Sequence, residues 1–305
     1  GNHPNITTSW NPTAGKLTLT GISGQPTYPE IIAAVKDVVF QNSSANPQPG
    51  AKTFSITVGQ ANYLPSNGHY YQYVPNIGIS WTNAKIAAEA SFYYGLQGYL
   101  ATITSADEAQ LSGEQAAGAG WIGGSDEQVE GVWRWMSGPE AGTIFWNGGI
   151  NGSTPNFAFW NTGEPNSFGD EDYTHITAPG VGIPGSWNDL KNNGEPSGDY
   201  QPKGYIVEYG GMPGDPILQI STSSIISIPS ITGTVSQTRC GNGSVTLTAT
   251  ATNGTTKWYT TPTGGTPLET SSSFTTPILS QTTTYYVDAY AVGCNGGTRI
   301  AVTAT

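Results

Sequence analysis

Charge is scarce in this 305-residue chain: Asp, Glu, Lys and Arg together make up 10% of it, where about 25% is usual for a soluble domain. Basic residues are scarcer still, ten Lys and Arg against 21 Asp and Glu, for a formal net charge of −11. That balance is wrong for a chain that gathers phosphates by releasing counterions, so neither nucleic acid nor an anionic membrane is an expected partner. Long apolar runs are missing too. The run from Ile31 to Val35 ends at Lys36 and Asp37, far short of the ~20 residues of a helical membrane span, so membrane insertion is not expected. Cysteine occurs only at Cys240 and Cys294, which excludes a dense disulfide framework.

The residues present read as folded and β-rich. Aromatics reach 11% with nine Trp, the opposite of a disordered composition. Gly 41 and Pro 21 fit many turns joining short strands. The length implies two or three domains at ~100 to 150 residues each. Abundant neutral Thr, Ser and Asn with little cysteine fit a secreted or surface-exposed bacterial protein.

Texture divides the chain four ways: residues 1–60, 61–210, a connector at 211–229, and 230–305. The first carries Leu17 and Leu19, then Tyr28 to Phe40, then Phe54, Ile56 and Val58, read as strand, a short helix running into a strand, and strand. It resembles the closing half of a cadherin-like bacterial repeat, and its length alone predicts that it packs on its neighbour. The second region predicts a helix after Trp81, in the Ala-rich run to Ala90, and another from Ser105, where Ser105-Ala-Asp-Glu108 fits a capping box. In the last, Val245, Leu247 and Ala249 alternate, as do Tyr285, Val287 and Ala289, with Trp258-Tyr259 between and Ile300 and Val302 closing, a β-sandwich pattern.

Between Trp135 and Leu190 there is no Lys or Arg, yet Glu140, Glu164, Asp170, Glu171, Asp172 and Asp189 all fall there. Crowded carboxylates must take protons or bind a cation. Carboxylates accompanied by amide carbonyls, as in Glu164-Pro165-Asn166 and Asn188-Asp189, suit Ca²⁺ better than zinc. A solvated acidic loop is the plain alternative.

These residues resemble the C-type lectin domains. The matching text is Trp121-Ile-Gly-Gly, Asp126 to Trp135, Trp160-Asn-Thr-Gly-Glu-Pro-Asn166, Glu171-Asp-Tyr173, Trp187-Asn-Asp189 and Tyr205-Ile-Val-Glu-Tyr209, over roughly 140 residues in the family's order. The resemblance implies an α+β fold with two helices, small sheets and a long loop region that holds calcium. It implies a principal calcium on Glu164, Asn166, Glu171, Asn188 and Asp189, with a sugar bound by the same residues. The Glu-Pro-Asn order implies equatorial vicinal hydroxyls, as in mannose, glucose or fucose, and Phe168 is placed to lay its ring on the pyranose. Pro165 is expected to be cis. An auxiliary calcium is matched by Asp126, Glu130 and Asp172; there Ser167 stands where some relatives have an acid. Tyr173 and Val207 replace cysteines usual in the family and are expected in the core.

Cys240, Trp258 and Cys294 resemble the cysteine, core tryptophan and cysteine of immunoglobulin-like modules found in secreted proteins of gliding bacteria. That implies a Cys240–Cys294 disulfide, with two buried thiols as the alternative. The whole then reads as part of a longer extracellular adhesin, at the bacterial cell surface, whose partners are cell-surface glycans or polysaccharides. A related domain binding a protein or ice is the second reading. A glycosidase using Glu164 and Asp189 is the third, and no enzymatic activity is expected. Gly180-Val-Gly-Ile-Pro-Gly185 spells a dinucleotide fingerprint, but Pro184 denies it the helix it needs, so it reads as a loop. His175 reads as structural.

Overall fold

The computed structural model describes residues 3–12, 14–22, 26–40, 48–116, 119–291, 294–295 and 298–305. Contacts divide the chain into two compact units, residues 1–34 with 55–223, and residues 35–54 with 224–305.

Strands β1 (Ile6–Asn11) and β2 (Lys16–Gly21) form an antiparallel hairpin with Trp10 opposite Leu17. Helix α1 (Tyr28–Lys36) is entered at Thr27, whose N–H and hydroxyl donate to the Glu30 carboxylate at 2.7 and 2.8 Å, the return half of a capping box. The strand expected after it is not formed. Val38, Val39 and Phe40 are exposed coil, and the Val38 N–H closes a turn on the Val35 carbonyl instead. β3 (Gly50–Thr57) follows.

Residues 62–209 are built on one sheet. Its strands are β4 (Asn62–Leu64), β5 (His69–Pro75), β6 (Phe92–Tyr93), β7 (Leu96–Leu100), β8 (Gly120–Ser125), β9 (Val132–Trp135), β10 (Ile144–Asn147), β11 (Tyr173–Ile176), β12 (Trp187–Leu190) and β13 (Gly204–Tyr209). The main path runs β10-β9-β8-β13-β5-β4, with β11 pairing β8 and β12, and β7 pairing β13 and β6. Every residue of β13 is buried because both its edges are taken: β5 along one, and β8 then β7 along the other. Tyr94 and Gly95, at φ 48° and 93°, make the two-residue turn between β6 and β7, where both central residues need positive φ.

Helices α2 (Trp81–Glu89) and α3 (Ala106–Gln115) fall where the sequence predicts them, capped by the Ser80 and Ser105 hydroxyls. The second capping box is only half made. Ser105 accepts the Glu108 N–H at 3.3 Å, while the Glu108 carboxylate turns inward to Thr104, Asn67 and Tyr71. It lies almost fully buried, as does Glu208 of β13, and the Tyr71 hydroxyl donates to both, at 2.7 and 3.0 Å. His69 Nδ1 meets Glu208 at 2.6 Å. Burial pulls the His69 pKa down, but the hydrogen bond and charge of Glu208 more than offset it and leave it raised; burial raises Glu208, with His69 opposing. Tyr173 and Val207 are buried in one apolar cluster with Trp81 and Trp121, as expected of residues standing where cystines are usual.

Strand β14 (Ser221–Ile228) pairs with β3 in a separate two-stranded sheet, so the expected connector is partly strand. Beyond it lie β15 (Ile231–Val235), β16 (Thr246–Ala251), β17 (Thr255–Tyr259), β18 (Glu269–Thr270), β19 (Ser273–Thr275), β20 (Thr283–Ala291), β21 (Cys294–Asn295) and β22 (Ile300–Ala304). Sheets β15-β16-β19 and β18-β17-β20-β21, with β22 also pairing β20, bury most of the expected alternating residues, whereas Ile300, expected among them, is exposed. Leu247, Trp258, Val287 and Val302 are at or near zero exposure.

The implied disulfide is corrected by this register. Cys240 is exposed with a free thiol, and it follows Arg239, whose N–H bonds Thr305 beside the Thr283 end of β20. Cys294 pairs with Ala291 at the other end of that strand. At about 3.4 Å per residue the strand separates them by roughly 25 Å, whereas a disulfide needs Cα atoms within about 7 Å.

Candidate functional site

Two strands and one loop bring the predicted residues together. The segment before Glu164 runs parallel beside β12, with the Trp187 N–H on the Phe159 carbonyl and the Asn161 N–H on the Trp187 carbonyl, both at 2.8 Å. An aromatic cluster fixes that alignment: Trp135 stacks on Phe145 at 4.2 Å, and Trp160 and Trp187 meet edge to face at 6.0 Å. Asn161 then holds the turn, its Oδ1 accepting the Thr162 and Ile183 N–H groups. The sequence marks it only as an Asn before Thr-Gly, the composition of an Asx turn.

From this anchor Glu164 reaches β12. Asn188 Nδ2 donates to Glu164 Oε1 at 3.1 Å and Asn166 Nδ2 to Glu164 Oε2 at 2.5 Å. The Glu164–Pro165 bond is cis, as expected. Asp189 accepts the N–H groups of Asn166 and Ser167 at 3.2 and 2.7 Å, and Asn166 Oδ1 accepts that of Phe168 at 2.8 Å. These backbone bonds, invisible in the sequence, hold Ser167 at φ 49°, where a non-glycine residue costs of order 1 to 3 kcal/mol. Glu171 is buried and acts on Glu164 and Asp189 through its charge. Phe168 points its ring outward, 80% exposed.

Charge is uncompensated here. Burial, then the adjoining Asp189 and Glu171 carboxylates, push Glu164 up to about 8, with Asn166 opposing. Burial and Asp189 raise Glu171 to about 7, opposed by the Phe168 N–H and by Lys191. Lys191, just past the cation-free window, is a neighbour the sequence reading did not place.

The second predicted set also meets. One oxygen each from Asp126, Glu130 and Asp172 lie within 4.8 Å of one another. Gly131 N–H donates to Asp126 Oδ2 at 2.8 Å, and burial foremost, then Glu130 and Asp172, raise Asp126 to about 7.

Both sets carry oxygen atoms that suit a calcium ion. Asn188 Oδ1 and Asp126 Oδ1 are buried with no hydrogen-bond partner, a costly condition for an oxygen. The donors are carboxylate and amide oxygens, with neither imidazole nor thiolate among them, which fits a hard cation. His175, directly across the strand pair from Asn188, is buried, and burial lowers it to about 4, with its Nε2 left without a partner. Residues 180–185 form a loop, not a strand-to-helix turn.

Comparison with known proteins gives the same two classes. A family model described as an Ig-like domain, CHU_C associated, matches residues 227–305. C-type lectin domain family 4 member M of Hylobates lar is 33% identical over 97 residues, 31% of this chain and 20% of that protein. Halomucin of Haloquadratum walsbyi is 35% identical over 219 residues, 69% of this chain but 2% of that protein. Among solved structures, the C-type carbohydrate-recognition domain of cow CD23, crystallised with a GlcNAc2Man3 oligosaccharide, aligns with a TM-score of 0.36 and 20% identity, over 51% of this chain and 96% of that one. The chain thus contains a C-type lectin-like domain and, at residues 227–305, an Ig-like domain, and it matches only small fractions of both curated relatives.

Proposed function

We propose that the lectin-like domain binds neutral sugars through a calcium ion held by Glu164, Asn166, Glu171, Asn188 and Asp189. The observation that carries this reading is that Asn166 and Asn188 both bond the Glu164 carboxylate, with Asp189 and Glu171 close enough to raise it, while the buried Asn188 Oδ1 has no partner. A bound calcium would supply the missing positive charge and coordination positions for two vicinal hydroxyls. Around it Asn166 and Asn188 offer amide donors to the same hydroxyls, and the exposed Phe168 ring offers an apolar face. Asp126, Glu130 and Asp172 would hold the auxiliary ion.

The resemblance of Glu164-Pro-Asn166 to C-type lectin sites supports mannose, glucose and fucose ahead of galactose. A monosaccharide of about a dozen heavy atoms at ~0.3 kcal/mol each binds near millimolar. Adhesion through such a site needs many copies, as on a long bacterial surface chain where avidity multiplies weak contacts. The test is competition on a glycan array with calcium and with EDTA. Mannose-type ligands should compete, galactose should do so poorly, chelation should abolish binding, and Glu164→Gln with Asn166→Asp should move the preference toward galactose. Equal inhibition by mannose and galactose, or binding undiminished in EDTA, contradicts the reading and leaves a protein or ice surface as the target.

A further inference from the structure

From Ala141 to Gly163 the chain has no charged residue, but it has four Asn, at 147, 151, 156 and 161. Part of this stretch, residues 147–153, frames a shallow, open depression on the protein surface. Its rim is held by the Asn147 and Ser153 backbones, which exchange two hydrogen bonds of 2.9 Å, and by the Trp146 indole N–H on the Gly149 carbonyl at 3.2 Å. The depression adjoins the calcium-site loop. A Cβ placed on Gly149 would lie 3.6 Å from the Pro165 carbonyl oxygen, and one on Gly163 would lie 3.9 Å from Ile150 Cδ1. The two loops therefore touch on both sides of Glu164, and Ile150 stands 56% exposed there.

We propose that this neutral, amide-lined surface is a second saccharide subsite, resting on the sugar-binding reading above, so that the domain takes a stretch of neutral oligo- or polysaccharide rather than a single terminal sugar. The chemistry is that of a pyranose: Ile150 covers the C–H face of a ring, while Asn151 and the exposed backbone of the glycine-rich loop serve its hydroxyls. An acidic or sulfated glycan gains nothing from the framing residues, because none of residues 147–153 is charged. A chain crossing Glu164 is held at one residue by the calcium site and at the next by this loop.

The experiment is isothermal titration of the full chain in saturating calcium with methyl α-mannoside and linear manno-oligosaccharides of two to four residues. Affinity should rise about tenfold, worth ~1.4 kcal/mol, on adding the second residue. The double variant Ile150→Ser with Asn151→Ala should lose that gain while keeping methyl α-mannoside affinity and the calcium-induced melting shift. Monosaccharide binding with no gain from chain length, or a gain that survives the double variant, overturns the subsite and leaves the principal site standing. No binding by any of these sugars overturns both.

Discussion

Residues 224–305 carry two acidic and three basic side chains, and residues 1–223 carry nineteen and seven. The Ig-like domain handles its few charges internally. Lys257 lies 3.2 Å from the centre of the Tyr290 ring and Arg299 as close to that of Tyr259, and Arg299 also bonds Asp288 and the Thr261 and Gly264 carbonyls. The lectin-like domain does the reverse at its loops: Glu164 and Glu171 lie near each other and Asp189, Asp126 lies near Glu130 and Asp172, and Glu164, Glu171 and Asp126 are all raised well above the ordinary carboxylate range. Two β-rich domains of one chain thus solve burial differently: in one, burial raises Asp288 but Arg299 and Lys257 oppose it from within the domain, and in the other, buried carboxylates raise one another.

The largest effect that would sharpen this contrast is in the lectin-like core. Trp187→Ala removes a fully buried ring from the aromatic cluster and should cost about 3 to 5 kcal/mol. Calorimetry should show its transition lost or strongly lowered, with that of the Ig-like domain, which has its own core, left in place. In the Ig-like domain Arg299→Ala should cost about 3 kcal/mol, because it leaves the half-buried Asp288 unpaired, and Arg299→Lys should recover only part. If Arg299→Ala left the melting curve unmoved, the claim of internal closure would break.

The pH dependence should differ in strength between the domains. A carboxylate raised in the folded state means that the metal-free fold binds more protons than the unfolded chain between pH ~4.5 and 8. Metal-free stability of the lectin-like domain should therefore be greatest near pH 4.5 and fall as pH rises through 7 to 8, where Glu171, Asp126 and Glu164 ionise. Calcium affinity should rise over the same interval, since protons and the ion compete for the same oxygens. Urea melts at pH 5 and pH 8, in EDTA and in calcium, measure both. The smallest effect is none: reduction should move neither transition, and alkylation of the denatured, unreduced protein should modify both Cys240 and Cys294.

The sequence made some of this legible and hid the rest for identifiable reasons. The grouping of Glu164, Asn166, Asn188 and Asp189 was readable because these residues sit in short ordered strings, Glu164-Pro-Asn166 and Trp187-Asn-Asp189, and because the absence of Lys and Arg across the window is itself a signal. The Ig-like core was readable from period-two alternation. The disulfide failed because cysteine spacing carries no information about which end of β20 each residue occupies. Val38 to Phe40 failed because β propensity needs a partner strand. The inward turn of Glu108 failed because its local pattern, a capping box, satisfied a nearer rule, and nothing in the sequence announces that Asn67, Tyr71 and Thr104 will outbid the Ser105 N–H.

The central claim is that the acidic loops of the lectin-like domain, and not the Ig-like domain, are completed by calcium. Differential scanning calorimetry of the full chain at pH 7.5, in EDTA and then in calcium at about a hundred times its dissociation constant, tests it directly. The lectin-like transition should gain about 2.7 kcal/mol, reversed by chelation, while the Ig-like transition stays where it was. Superimposable curves in calcium and EDTA, or an equal shift of both transitions, would contradict the account.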